Sequence, residues 1–109
     1  MRKLLALLAG IALLGAIGAT LAFAKTKTVG MGDNYFFAGT VKIKKGSSVH
    51  WHWANTQNSH NVVSKKKGAK FHSKTGHSGD FTYTFRKKGT FTIICTKHPS
   101  VMRMTVKVT

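Results

Sequence analysis

Residues 41–53 read VKIKKGSSVHWHW, and this stretch decides the fold. Apolar residues alternate with lysines before the turn at Lys45-Gly46 and with histidines after it. Strict alternation gives a strand one apolar and one polar face, because successive side chains of a strand point to opposite sides. The stretch therefore predicts two half-buried strands, the second with both histidines on the face opposite both tryptophans.

The same two-residue period recurs further along the chain. Phe81, Tyr83 and Phe85 share one face of a predicted strand, and residues 90–95 and 102–108 form two further β-prone runs. Turns rich in Gly, Lys and Asn separate such runs, and no helical period persists. Six to eight short strands of this kind predict an all-β fold, an antiparallel Greek-key sandwich or barrel. The remaining expectations are a first strand at residues 26–29, a turn at 30–34 and a solvated segment at 64–79.

The N-terminal residues predict export. Arg2-Lys3 precedes an uncharged run from Leu4 to Ala24, and Ala22-Phe23-Ala24 has the small-x-small pattern of a signal-peptidase site. We expect residues 1–24 to be a signal peptide, cleaved before Lys25, and residues 25–109 to form one small domain. The alternative is an uncleaved membrane anchor, since the run is long enough to span a bilayer. The predicted location is the periplasm or another extracytoplasmic space.

The chain is strongly basic and nearly free of carboxylates. It has 18 Lys and Arg against two acids, Asp33 and Asp80, and without Arg2 and Lys3 its net charge is +14. Two distant acids argue against paired-carboxylate hydrolysis, and the charge favours an acidic partner or an anionic membrane surface. The lysines from Lys65 to Lys74 form either a solvated loop or a contact for that partner. Nucleic-acid binding has only charge in its favour, since no stacking motif is present and the export pattern argues against it.

Residues 95–102, CTKHPSVM, concentrate soft metal ligands. Cys95 is the only cysteine, so it cannot form an intrachain disulfide, and metal ligation, burial or interchain pairing must account for it. His98 and Met102 follow it closely, and His60 is the candidate for a second imidazole brought from elsewhere in the chain. Two His, one Cys and a weakly bound Met are the ligand set of blue-copper electron-transfer sites. Zinc also accepts Cys and His, but the thioether favours copper.

These motifs, in this order, resemble a small cupredoxin of the plastocyanin/amicyanin group. The matching segments are residues 41–53 as the family's V-x-V-x-x-G-x-x-V-x-W hairpin, His60-Asn61-Val62, residues 81–91, and Cys95-Thr96-Lys97-His98-Pro99. The resemblance implies a cupredoxin-like sandwich with one type 1 copper, Cu(I)/Cu(II), held by His60, Cys95, His98 and Met102. It also implies that Asn61 joins the two ligand loops by hydrogen bonds.

The chain departs from the family pattern near Met102. Two residues, Ser100 and Val101, separate the proline from Met102, where amicyanin-like members have one and plastocyanin-like members have more. Met104 stands where the family usually has glycine, so it is the competing axial ligand. We expect Met102 to be the ligand and Met104 to point into the core.

The sequence thus predicts a monomeric one-electron carrier rather than an enzyme, because a mononuclear site with four filled positions leaves no place for a substrate. The expected partner is an acidic redox protein or a membrane-associated oxidoreductase or cytochrome. The alternative is a periplasmic copper chaperone or scavenger that uses the same ligands. An apolar docking rim around His98 is expected from Phe36, Phe37, Pro99 and Val101.

The other histidines are expected to be solvated or to line a sheet face. Two of them could instead form an auxiliary surface copper site. This group comprises His50, His52, His72 and His77.

Overall fold

The computed structural model describes residues 24–109, which form a sandwich of two β-sheets. The strands are β1 (Thr26–Gly32), β2 (Tyr35–Phe36), β3 (Thr40–Ile43), β4 (Ser48–Trp53), β5 (Val63–Ser64), β6 (Phe71–His72), β7 (Gly79–Thr84), β8 (Gly89–Ile94) and β9 (Arg103–Val108). One sheet has the order β2-β1-β4-β7 and the other β3-β9-β8-β5-β6. The predicted all-β sandwich is confirmed. The predicted signal peptide lies, except for Ala24, outside the described residues.

Both sheets are mixed, not purely antiparallel as expected. β1 runs parallel to β4 and β3 runs parallel to β9, whereas the other paired strands are antiparallel. The hairpin expected at residues 41–53 is therefore wrong, because β3 and β4 lie in different sheets. The turn at Lys45-Gly46, where Gly46 has a φ of 94°, carries the chain from one sheet to the other. The alternation of apolar and polar residues indicated which side chains of each strand are buried. It did not indicate which strands pair with each other.

β1 extends three residues beyond its predicted end at Val29. Met31 is buried, and aromatic rings cover the two glycines beside it: a Cβ atom on Gly30 would lie 2.7 Å from Phe37 Cδ2. The predicted turn shrinks to Asp33-Asn34, where Asn34 has a φ of 72°, a left-handed conformation that Asn tolerates well. This turn brings Asp33 to the end of the sandwich.

The segment at 64–79 is more structured than expected. Its strand β6 pairs with β5, and the Phe71 ring packs against Tyr83 at a centroid distance of 4.4 Å. A single bridge joins His60 to Gly76. The sequence did not indicate this structure, because a single aromatic residue among lysines and glycines shows no hydrophobic period.

The core lies between the sheets and is rich in aromatic side chains. Trp51, Trp53, Phe85 and Phe91 are buried as predicted, and Phe81 and Tyr83 pack against them while remaining partly exposed. Within residues 24–109, no helix is long and apolar enough to cross a membrane.

Candidate metal centre

Three predicted ligands meet at one end of the sandwich. Cys95 follows β8, His98 lies in the loop beyond it, and His60 precedes β5. The Cys95 Sγ atom lies 3.8 Å from His60 Nδ1, and the His60 and His98 ring centroids are 5.3 Å apart. Cys95 and His60 are fully buried. The fold therefore brings together a thiol and an imidazole that are 35 residues apart in the chain.

Backbone hydrogen bonds close the loop of residues 95–102, the ligand loop. The amide of His98 donates to the Cys95 carbonyl at 3.2 Å, and the amide of Met102 donates to the His98 carbonyl at 2.9 Å. The Cys95 amide in turn donates to the Met102 carbonyl at 3.1 Å. Met102 is thus held beside Cys95 at the entry to β9, with its side chain completely buried.

Met104 points into the core, as expected. Its Sδ atom accepts a hydrogen bond from Trp51 Nε1 at 3.4 Å, and its side chain is buried. This sulfur atom is therefore hydrogen-bonded within the core, whereas Met102 lies on the ligand loop. The arrangement favours Met102 over Met104 as the thioether ligand, which stays a prediction.

Asn61 joins the two ligand loops through the hydrogen bonds predicted for it. Its Oδ1 atom accepts from the Thr96 amide at 2.9 Å, and its Nδ2 atom donates to Thr96 Oγ1 at 2.7 Å and to Thr75 Oγ1 at 2.9 Å. Asn61 is buried and adjoins His60, and Thr96 adjoins Cys95. The amide therefore fixes the loop of His60 against that of Cys95.

Asp33 orients His60, a role that the sequence analysis missed. Asp33 Oδ1 lies 3.0 Å from His60 Nε2. An ionised carboxylate only accepts, so Nε2 carries the proton and donates, and Nδ1 presents its lone pair towards Cys95. The only hint in the sequence was that Asp33 is one of two acids in the chain.

Asp33 is itself firmly ionised. Its pKa is lowered to about 2, chiefly because the backbone N–H groups of Asn58 and Gln57 donate to its carboxylate and, after them, because His60 does. Both backbone contacts measure 2.9 Å. The carboxylate thus stays an acceptor for His60 at neutral and moderately acidic pH.

One buried nitrogen at the site lacks a partner. His98 Nε2 and Ser64 Oγ are the buried side-chain polar atoms without a hydrogen bond among residues 24–109. In the same part of the chain, no group of three or more His, Cys, Asp or Glu side chains could hold a metal ion as it stands. An unpaired buried nitrogen is costly unless a ligand satisfies it. A thiol, two imidazoles and a nearby thioether form a donor set that fits a soft metal such as copper.

The apolar rim expected around His98 needs correction. Phe36 is buried, because it is on the core-facing side of β2, whereas Phe37 contacts Gly30 on β1 and is 62 % exposed. Pro99 and Val101 are exposed on the ligand loop, Val101 to 68 %. The surface beside the ligand loop is thus smaller than predicted.

A two-sheet β-sandwich with a Cys–His loop and a distant His at one end defines a cupredoxin-like copper protein. The family model of copper binding proteins, plastocyanin/azurin family, matches residues 23–109, and the chain belongs to this family. Its cofactor is copper, in a single type 1 site.

Solved structures share the fold. Amicyanin from Paracoccus versutus is 28 % identical, with a TM-score of 0.62 over 77 % of this chain and 81 % of that one. A purple cupredoxin from Nitrosopumilus maritimus is 20 % identical, with a TM-score of 0.61 over 76 % of this chain and 99 % of that one. A copper-containing nitrite reductase from Thermus scotoductus SA-01 is 24 % identical, with a TM-score of 0.65 over 77 % of this chain, which spans only 22 % of the reductase. No curated protein matched.

Proposed function

We propose that this protein carries single electrons between redox partners outside the cytoplasm, with His60, Cys95, His98 and Met102 as its copper ligands. The observation that supports this most is the approach of Cys95 Sγ to His60 Nδ1, 3.8 Å apart in a fully buried setting. Copper supplies the chemistry when bound, because it exchanges one electron between Cu(II) and Cu(I). The protein side chains bind the copper and keep its ligands in place.

Those side chains hold the site in one arrangement. Asp33 keeps the proton of His60 on Nε2, and Asn61 keeps the two ligand loops together. Supporting hydrogen bonds of this kind fix the orientation of metal ligands. A rigid ligand set suits a carrier, because little rearrangement then accompanies each electron.

The proposed partner is an acidic redox protein, either soluble or membrane-associated. One groove on the outer side of the sheet formed by β3, β9, β8, β5 and β6 is lined by Lys65, Lys66 and Arg103. Arg103 Nη1 donates to the Pro99 carbonyl at 2.8 Å, so this basic groove adjoins the ligand loop. A negatively charged partner that docks there would meet the loop of His98 and the exposed Val101.

The test is an optical spectrum of the protein after addition of Cu(II), with Cys95→Ser measured alongside. We expect an intense blue thiolate-to-copper band that is absent from the variant. Rapid electron exchange with a redox protein, without loss of copper, would then establish the carrier.

Two other results would contradict the proposal. A colourless protein that binds Zn(II) or Cu(I) would indicate a structural or storage site. A blue protein that passes its copper readily to a chelator would indicate a copper chaperone or scavenger. The complete burial of Cys95, His60 and Met102 argues against such ready exchange.

A further inference from the structure

The second carboxylate of the chain also contacts histidines, away from the Cys95 loop. Asp80 Oδ1 lies 2.8 Å from His50 Nε2 and 2.7 Å from His52 Nδ1. One carboxylate oxygen is therefore shared by two imidazoles. All three side chains lie on the outer face of the sheet formed by β2, β1, β4 and β7, where they reach solvent.

Strand geometry explains this cluster. His50 and His52 are two residues apart on β4, so their side chains are on the same face while Trp51 and Trp53 enter the core. In the antiparallel pairing of β4 with β7, His52 is directly opposite Asp80. Directly opposed residues have Cβ atoms about 5 Å apart, within reach of an imidazole and a carboxylate.

The residues directly opposite the two histidines in the neighbouring strands carry no positive charge. Their partners in the neighbouring strands are Thr28 and Gly30 on β1 and Thr82 beside Asp80 on β7. Lys74 is the nearby basic residue: it lines a groove with Asp80 and with Trp53 of β4. The residues paired with the histidines therefore do not themselves repel a cation that approaches Asp80.

We propose that His50, His52 and Asp80 form a second metal site, which binds a divalent first-row transition-metal ion at the protein surface. Two imidazoles and a carboxylate suit Zn(II) and Cu(II), and of these Cu(II) binds more tightly. The site shares no residue with the Cys95 cluster, so it does not depend on the function proposed for that cluster. Water completes the coordination, since the side chains of His52 and Asp80 are 52 % and 63 % exposed.

A bound ion requires these side chains to rearrange, because the two imidazole centroids are 6.2 Å apart and no three His, Cys, Asp or Glu side chains of residues 24–109 could hold a metal ion as they stand. Zinc lies about 2.0–2.1 Å from nitrogen ligands and about 2.0–2.2 Å from carboxylate oxygens, which places two ligands of one tetrahedral ion about 3.3 Å apart. The nitrogen–oxygen contacts are now 2.7 and 2.8 Å, so each side chain needs to open by roughly half an ångström. Each neutral imidazole then carries its proton on the other ring nitrogen. The carboxylate is already ionised, because hydrogen bonds from His52 and His50 lower the pKa of Asp80.

The experiment is a calorimetric titration of the full chain with Zn(II), followed by measurement of the metal retained after desalting. We expect His50→Asn/His52→Asn to lose one equivalent of Zn(II) relative to the unchanged protein. His77→Asn is the matched control, since His77 is also exposed but hydrogen-bonds to Thr56 away from this cluster, and it should retain that equivalent. Asp80→Asn should weaken this binding step by more than about tenfold, because even outer partners of metal ligands contribute that much.

The same titration in Cys95→Ser separates this site from the copper centre. The equivalent assigned to His50 and His52 should persist in Cys95→Ser and disappear when both histidines are also replaced. An unchanged stoichiometry in His50→Asn/His52→Asn, in either background, would overturn the second site and leave the copper proposal untouched. The exposed positions of these side chains allow the variants to fold, which circular dichroism would verify.

Discussion

The Asp33 side chain is the residue-scale feature that bears most directly on copper binding. Asp33→Ala removes the acceptor of the His60 Nε2 proton and frees His60 to turn or to change tautomer. We expect copper affinity to fall about 10- to 100-fold, the usual effect of losing an outer partner of a metal ligand. The measurement is competition for copper with a chelator, followed at the thiolate-to-copper band. Asp80→Ala is the control, because it removes the only other acidic side chain and should leave this band and its chelator sensitivity unchanged.

Asn61 offers a second test at the same scale, through stability rather than metal binding. Asn61→Ala removes three hydrogen bonds and leaves the Thr96 amide without its partner. We expect the free energy of unfolding of the metal-free protein to fall by about 1–3 kcal/mol, the cost of leaving buried polar groups unsatisfied. Urea unfolding measures this change. Thr75→Val removes only one of the three bonds and should cost less; an equal loss would show that the Thr96 contacts contribute little.

Single residues were predictable where their chemistry is rare and local. Cys95, His98 and Met102 fall within eight residues, so the sequence alone could group them. Asp33 could not be assigned in this way, because its contact with His60 joins residues 27 apart and depends on how two loops meet. His50 and His52 were placed correctly on one face, yet their link to Asp80 needed the register between β4 and β7.

At the scale of elements, close packing of an aromatic ring on a glycine fixes how β4 and β7 fit together. A Cβ atom on Gly79 would lie 2.5 Å from the ring of Trp53, which is buried and donates through Nε1 to the Gly76 carbonyl. Gly79→Ala should therefore destabilise the protein by about 1–3 kcal/mol, as overpacking does. Gly39→Ala is the control: a Cβ atom there meets nothing within 4 Å, and the change should stay within about 0.5 kcal/mol. Equal unfolding midpoints for the two variants would contradict this account.

The elements themselves were predicted better than their pairing. Alternation located β3, β4 and β7, because a half-buried strand must alternate. It could not show that β3 and β4 belong to different sheets, because both bury their apolar faces in the same core. The parallel pairings of β1 with β4 and of β3 with β9 left no local pattern for the same reason.

At the scale of the whole molecule, the excess of positive charge should govern how fast electrons arrive. We expect the rate of reduction of the copper-loaded protein by hexacyanoferrate(II), an anion, to fall as salt is added, because the Debye length shrinks from about 30 Å at 0.01 M to about 8 Å at 0.15 M. Electrostatic steering of this kind changes association rates by about 10- to 1,000-fold. A cationic cobalt(III) phenanthroline complex, used as the oxidant of the reduced protein, should show the opposite trend. Stopped-flow absorbance at the blue band measures both rates.

Two variants that each lose two lysines separate the effect of where the charge lies from the effect of the net charge on the reduction rate. Lys65→Gln/Lys66→Gln removes two positive charges from the groove that Arg103 also lines. Arg103 contacts the ligand loop through Pro99. Lys25→Gln/Lys27→Gln removes the same charge at the beginning of β1, whereas the end of that strand leads to Asp33, which contacts the proposed copper ligand His60. If the groove receives acidic partners, the first variant should slow reduction by hexacyanoferrate(II) more than the second and should show a flatter salt dependence. Equal slowing would mean that only the net charge matters, and a rate that does not respond to salt would remove electrostatic docking altogether.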